Sequence, residues 1–215
     1  ILNPDGSFNV VNARALADAL ERRGRSPGGD GELYVGRELQ GFNGKPHLVK
    51  ETEFESLSGV SYYRGDENPS YCEQMKTGKF YAGQGVLGNG TYAAKSRDTA
   101  AKYATEEGGV IRFKIHPDAK IVWDRYGAGP TNLHDAGRQI EDGIYSAHRR
   151  GELTDDQSAT LRIHFQDRGR LAVAAGIDAY IPSTATGNYI IILNRTAMMI
   201  SDEDPAVQFT LSPAA

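Results

Sequence analysis

Four glycines in eight residues, Gly83-Gln-Gly85-Val-Leu-Gly88-Asn-Gly90, constrain this chain more than any other segment. A backbone so poor in Cβ atoms serves either tight turns or a close approach of main chain to a ligand. The surplus is general as well: 25 of the 215 residues are glycine, where a usual share of roughly 7% would give about 15. No Gly-X-Y period accompanies it and proline stands at only 9, which excludes collagen and low-complexity tracts.

The cluster contains a literal GxGxxG. A dinucleotide fingerprint of the Rossmann kind needs a strand before it, a helix opening within it and an acid about 20 residues on. Glu106 and Glu107 lie near that distance, but Gly88 is followed by Asn-Gly-Thr-Tyr-Ala-Ala, which reads as a strand. The context fails, and a glycine-rich hairpin or surface loop is the plain alternative. The continuation adds something else. Tyr92 lies on the strand and Tyr103, eleven residues on, lies on the helix that Ser96 caps. Two such tyrosines can face across a slot and hold a flat ring between them, with Ala93, Ala94, Ala100 and Ala101 leaving room for it.

Charge and cysteine content exclude several classes. Twenty-eight acids against 24 bases give a net charge of −4, whereas a nonspecific nucleic-acid coat carries a large basic excess. The mean hydropathy is −0.49, and no apolar run approaches the roughly 18 residues of a membrane span. Cys72 is alone, so neither an intramolecular disulfide nor a cysteine-based zinc site can form. His47, His116, His134, His148 and His164 are scattered without metal-ligand spacing, and no metal is expected.

The apolar pattern predicts one main α+β domain over 31–215 behind a lead segment over 1–30. The lead segment holds a helix over 13–24, capped by Asn12, with Ala13, Leu16, Ala17 and Leu20 on one face. Ser26-Pro-Gly-Gly-Asp-Gly31 marks the boundary. Short strands follow at Glu32–Val35, Val60–Arg64, Phe80–Ala82, Thr91–Ala94, Val110–Ile115, Ile121–Trp123, Ala179–Pro182, Tyr189–Leu193 and Ala197–Ile200. Helices interrupt them irregularly: one opened by Asn68-Pro69, others over 97–106, 131–150 and 154–175. That irregular order argues against a doubly wound sheet. The start at Ile1-Leu2-Asn3-Pro4, without methionine or a basic-then-apolar leader, reads as a piece of a longer polypeptide.

Gly88-x-Gly90-Thr91-Tyr92-x-Ala94 followed by Ala100-x-x-Tyr103 resembles the central motif of the ADP-ribosyltransferase superfamily, in its poly(ADP-ribose) polymerase and diphtheria-toxin branch. There the two tyrosines sandwich the nicotinamide of NAD. The resemblance implies that role for Tyr92 and Tyr103, with Gly88, Gly90, Thr91 and Ala93 as neighbouring NAD contacts. The helix serine that many members carry falls at Ala100. Ser61-Tyr62-Tyr63-Arg64-Gly65 looks like the family's first motif in its arginine variant, known from cholera-like transferases. It implies that Arg64 grips the pyrophosphate or adjacent ribose and that Gly65 approaches the carboxamide. The family's catalytic glutamate stands at the start of a late apolar strand, and here that position is Asn188. An amide accepts a hydrogen bond from a ribose hydroxyl but cannot balance developing positive charge as a carboxylate does. Asn188 could suffice, Asp178 or Glu141 could enter the site, or the domain could bind NAD without turning it over.

The resemblance, which spans about residues 60–200, implies a split β-sandwich of two small sheets with flanking helices. Its implied function is mono-ADP-ribosyl transfer from NAD to a protein or nucleic-acid acceptor. NAD glycohydrolysis and noncatalytic NAD binding are the alternatives. Leu193-Asn-Arg-Thr-Ala197 adds a looser likeness to domains of phage head-morphogenesis (MuF-type) proteins and bacterial polymorphic toxins. That likeness implies an effector acting in a target cell's cytoplasm, delivered as part of a larger protein or phage particle, with an immunity protein as partner and no membrane.

Overall fold

The computed structural model describes residues 1–22, 44–77, 83–105, 108–124, 132–183, 188–203 and 207–208. Helix ends follow side-chain chemistry. Helix α1 (Val10–Arg22) starts one turn earlier than Asn12 predicts, because the Asn9 side chain accepts the Asn12 N–H at 2.9 Å. Helix α2 (Glu51–Ser56) is short. Asn68 caps α3 (Pro69–Lys76) with proline in the first turn, and Ser96 caps α4 (Arg97–Ala101). Asn132 caps α5 (Leu133–Arg149), and Thr154 with Gln157 forms a capping box on α6 (Asp155–His164). The single helix expected over 154–175 is in fact two. Asp167 accepts the Arg170 N–H and opens α7 (Arg168–Ala174), offering the backbone a cap in place of a continued helix. The boundary loop after α1 and the strands expected at Glu32–Val35 and Phe80–Ala82 lie outside the described residues.

Among the described residues ten strands share one hydrogen-bonded sheet: β1 (His47–Val49), β2 (Tyr62–Asp66), β3 (Gly83–Gly85), β4 (Gly88–Ala94), β5 (Gly109–Ile115), β6 (Ile121–Asp124), β7 (Ala179–Pro182), β8 (Tyr189–Ile192), β9 (Met198–Ser201) and β10 (Val207–Gln208). Their order is β1-β9-β5-β2-β4-β8-β7-β6, with β10 beside β5 and β3 beside β4. The β1–β9 and β6–β7 pairs are parallel and the rest antiparallel. This mixed order, with helices placed irregularly between strands, is α+β. Two separate small sheets were expected, and the strands instead form one, but its middle joint is slight. Strand β2 pairs with β5 from Tyr62–Phe113 through Asp66–Gly109, and β4 pairs with β8 from Thr91–Ile192 through Ala94–Tyr189. Between β2 and β4 the pairing is Tyr63–Ala94 alone. From that point Arg64–Asp66 and Gly88–Tyr92 run apart, so the sheet opens into two walls.

Each half carries a core. Ile190-Ile191-Ile192 is an apolar run because β8 is covered on both faces. Ile191 packs with α1, α5 and α7 residues, while Ile190 and Ile192 pack with Tyr62, Phe113, Met198 and the α3 residues Cys72 and Met75. Helix α1 belongs to the first of these cores and does not stand outside it: Ala13, Leu16, Ala17 and Leu20 are buried there. Gln157 of α6 donates to Asp18 at 2.8 Å, and Arg14 hydrogen-bonds the Glu152 carbonyl.

The glycine cluster meets α7 backbone to backbone. A Cβ on Gly169 would lie 1.8 Å from the Asn89 carbonyl oxygen, and one on Gly88 would lie 2.9 Å from the Gly169 nitrogen. Gly88 also has a φ of +105°, which favours glycine. We therefore expect Gly169→Ala to cost roughly 1–3 kcal/mol or more, since neither backbone can give way without parting β4 from α7. Urea unfolding measures it.

His164, at the end of α6, is only 4% exposed, and the partly buried Phe165 ring lies edge-on to it at 5.0 Å. Burial, helped by the Arg170 charge, pushes its pKa down to about 3. The unfolded chain takes up a proton near pH 6.5, and the folded chain resists until about 3. The stability tied to neutral His164 is thus present above pH 6.5 and lost as pH falls below it. His164→Phe should flatten the stability profile between those values by up to about 1.4 kcal/mol per pH unit, read from unfolding curves at stepped pH.

Candidate active site

The parting of β2 from β4 leaves a cleft of about 490 Å³, within the usual range of roughly 300–1,000 Å³ for a small-molecule site. Its walls are built from residues far apart in sequence. Tyr63, Arg64, Gly65 and Asp66 come from β2, Tyr92, Ala93 and Ala94 from β4, and Tyr103 from the turn after α4.

Arg64 spans the opening. Its Nε and Nη2 donate to the two carboxylate oxygens of Asp66, each at 2.9 Å, and Nη1 donates to the Tyr92 carbonyl at 3.2 Å. The first two form a bidentate fork, which fixes the guanidinium plane as well as its charge. Both side chains are mostly buried, at 17% and 13% exposure. A guanidinium carries five N–H groups, so these three bonds leave two for a ligand. Asp66 was not anticipated from sequence. The signal was there in Arg64-Gly65-Asp66, since residues two apart on a strand face the same way.

Gly65 is dictated by packing: a Cβ there would lie 2.0 Å from the Ala100 carbonyl oxygen, so α4 can lie directly across β2. That crossing carries Tyr103 to the rim, where it is 62% exposed. Tyr189, first residue of β8, lines the same cleft and shares a hydrogen bond with Tyr103. Desolvation first, then Tyr103, raise the Tyr189 phenol's pKa.

Tyr92 is held by its hydroxyl, which donates to the Gly88 carbonyl at 2.6 Å and accepts the Leu87 N–H at 3.2 Å. Burial raises its pKa, the Leu87 N–H acts against that, and the Asp167 charge adds to the rise. The ring is placed by the β3–β4 turn: a Cβ on Gly85 would lie 2.1 Å from the Tyr92 hydroxyl oxygen.

Several expected positions lie elsewhere. Gly88 turns toward α7 and the Tyr180 hydroxyl, and Gly90 lies against Ile191 and Leu193. Thr91 is fully buried and its Oγ1 accepts from Arg195 at 3.4 Å. None of the three lines the cleft. The Asn89 N–H, within the same glycine cluster, donates to Asp167 Oδ2 at 3.0 Å. Strand alternation and the α7 crossing explain all four.

Asn188 stands exposed immediately before β8 and Tyr189, its carbonyl accepting the Lys95 N–H at 2.9 Å. Residues 184–187 of the loop before it lie outside the described residues. The two substitute acids do not reach this end. Asp178 precedes β7, which runs antiparallel to β8, and so lies at the opposite end of these strands. Its carboxylate accepts from Asn194 Nδ2 at 2.6 Å and from the Lys120 N–H at 2.7 Å. Glu141 is on α5, in a different cavity. The acids that do line the cleft are Asp66 and Glu67.

The arrangement offers a cleft lined by five tyrosines, Tyr63, Tyr71, Tyr92, Tyr103 and Tyr189, a fixed guanidinium half-used by its own carboxylate, and no carboxylate at position 188. Cys72 is buried beneath β2, its thiol pushed up to about 12 by burial and by the Asp66 charge, so it supplies no thiolate. Among the described residues no group of three or more His, Cys, Asp or Glu is placed to hold a metal ion, and no helix is long and apolar enough to cross a membrane. Neither a family model, nor a curated protein, nor a solved structure matches the chain.

Proposed function

We propose that the chain is a mono-ADP-ribosyltransferase domain acting on NAD. One observation carries this reading: Arg64, Gly65, Tyr92, Ala93 and Tyr103, drawn from two separate motifs, line a single cleft. The near-separation of the sheet at Tyr63–Ala94 supports the split-sandwich architecture that the resemblance implies. In this reading nicotinamide enters between Tyr92 and Tyr103, and the pyrophosphate takes the free N–H groups of Arg64. The bond between nicotinamide nitrogen and ribose C1′ breaks, and nicotinamide leaves with the bonding pair. An acceptor lone pair forms the new bond to C1′, and the acceptor's proton passes to solvent. Holding NAD at both ends presents C1′ to the acceptor, a positioning contribution. The acceptor is a protein or nucleic acid, and the toxin-like and phage-like resemblance extends the proposal to an effector that meets an immunity protein inside a target cell.

A second reading, NAD binding without transfer, is favoured by Asn188 and by the placement of Asp178 and Glu141 away from the cleft. NAD glycohydrolysis, with water as acceptor, uses the same cleft.

NAD labelled in its adenylate half, incubated with the protein and a bacterial lysate, separates these readings. Transfer places label in the protein or nucleic-acid fraction. Nicotinamide release with label in neither marks hydrolysis, and bound NAD with no release marks a binding module. Failure to bind NAD at all overturns every form of the proposal. Tyr103→Ala, at an exposed position, should weaken NAD binding about 2- to 13-fold, from the roughly 0.5–1.5 kcal/mol of an aromatic pair, while leaving the unfolding midpoint unchanged. Asn188→Glu should raise the rate of nicotinamide release tenfold or more if a missing carboxylate limits the chemistry, since one electrostatic group is worth roughly 10²–10³ in rate.

A further inference from the structure

A second cavity, of about 540 Å³, lies between α5, α6 and α7. Its floor is apolar, with Ile140, Ile144, Phe165 and Leu171. Its rim carries three arginines, one from each helix. Arg138 of α5 is bound to Asp135, and Arg168 of α7 to Asp124 at 2.7 Å. Arg162 of α6 has no hydrogen-bond or ion-pair partner among the described residues, and it faces the cavity over an apolar floor. The rim acids are Asp124, which Arg168 already holds, and Glu141 on α5. With Arg138 and Arg168 each held by an acid, Arg162 is the lining cation left for a ligand, and Glu141 is the rim acid that opposes an anion there.

We propose that this cavity binds a small amphipathic anion: an apolar or aromatic body seated on Phe165, Ile140 and Leu171, and a phosphate, sulfonate or carboxylate head on Arg162. A guanidinium suits such a head because its fork matches the anion's oxygens in pairs. The apolar floor gives the body a place to leave water, which a bare inorganic ion would not use. The site is independent of the NAD reading. It belongs to other elements and shares no lining residue with the β2–β4 cleft.

Titration of the ¹⁵N-labelled protein with phenyl phosphate tests the proposal, with benzyl alcohol as the uncharged counterpart. We expect saturable shifts at Gly137, Ile140 and Leu171, and binding of benzyl alcohol at least tenfold weaker. Arg162→Ala, at an exposed position, should weaken phenyl phosphate about tenfold or more, the worth of a hydrogen bond to a charged group. Glu141→Gln should tighten it by removing a like charge. Shifts centred on Gly65 and Tyr92 would overturn the proposal, because the anion would then sit on Arg64. So would an unchanged affinity in Arg162→Ala, or no saturation at millimolar phenyl phosphate.

Discussion

The sheet is joined at its centre by one residue pair, Tyr63 with Ala94, and the rest of the molecule is arranged around that weak seam. Long pairings on either side make each half-sheet stiff: β2 is tied to β5 along its whole length, and β4 to β8 over Thr91–Ala94. Two stiff halves that share one backbone pair diverge from it, because strands twist relative to one another and no further ladder pairing joins β2 to β4. The gap is kept from collapsing by polar groups on its own walls. Arg64, bonded to Asp66 and reaching the Tyr92 carbonyl, spans the opening with a charge that needs partners, and so cannot be replaced by closer apolar contact.

How much of this could be read from the residues depends on whether the information was local. Caps are local, and Asn68, Ser96 and Thr154 begin helices as their side chains predict. The Ile190–Ile192 run reads correctly as a buried strand for the same reason. The break between α6 and α7 was missed because Asp167 stands in a pattern that continues apolar on either side. Its capping role gains a second partner in Asn89, 78 residues away. The position of α1 was also unreadable, since an amphipathic face says that it packs but not against what.

The site divides along the same line. Arg64, Tyr92 and Tyr103 were singled out by motif and do line one cleft. Gly88, Gly90 and Thr91 were grouped with them by adjacency in sequence, and strand geometry turns them elsewhere. The glycines of this segment serve packing: Gly85 admits the Tyr92 ring, and Gly88 admits α7. The acid in the cleft is Asp66, hidden in plain view two residues from Arg64, while Asp178 is spent on Asn194 and Lys120.

The turn from Leu87 to Asn89 is held from three directions. Tyr92 accepts the Leu87 N–H, the Tyr180 hydroxyl donates to the Leu87 carbonyl at 2.6 Å, and Asp167 accepts the Asn89 N–H. Its neighbour Val86 is fully exposed, so by accessibility this should be among the fastest-exchanging stretches of backbone. Instead, solvent deuterium can reach those two amides only when the Tyr92 ring leaves the turn or α7 lifts from β4. A pair of amides at a surface turn thereby becomes a gauge of two larger motions, one on the cleft side of β4 and one on the helical side.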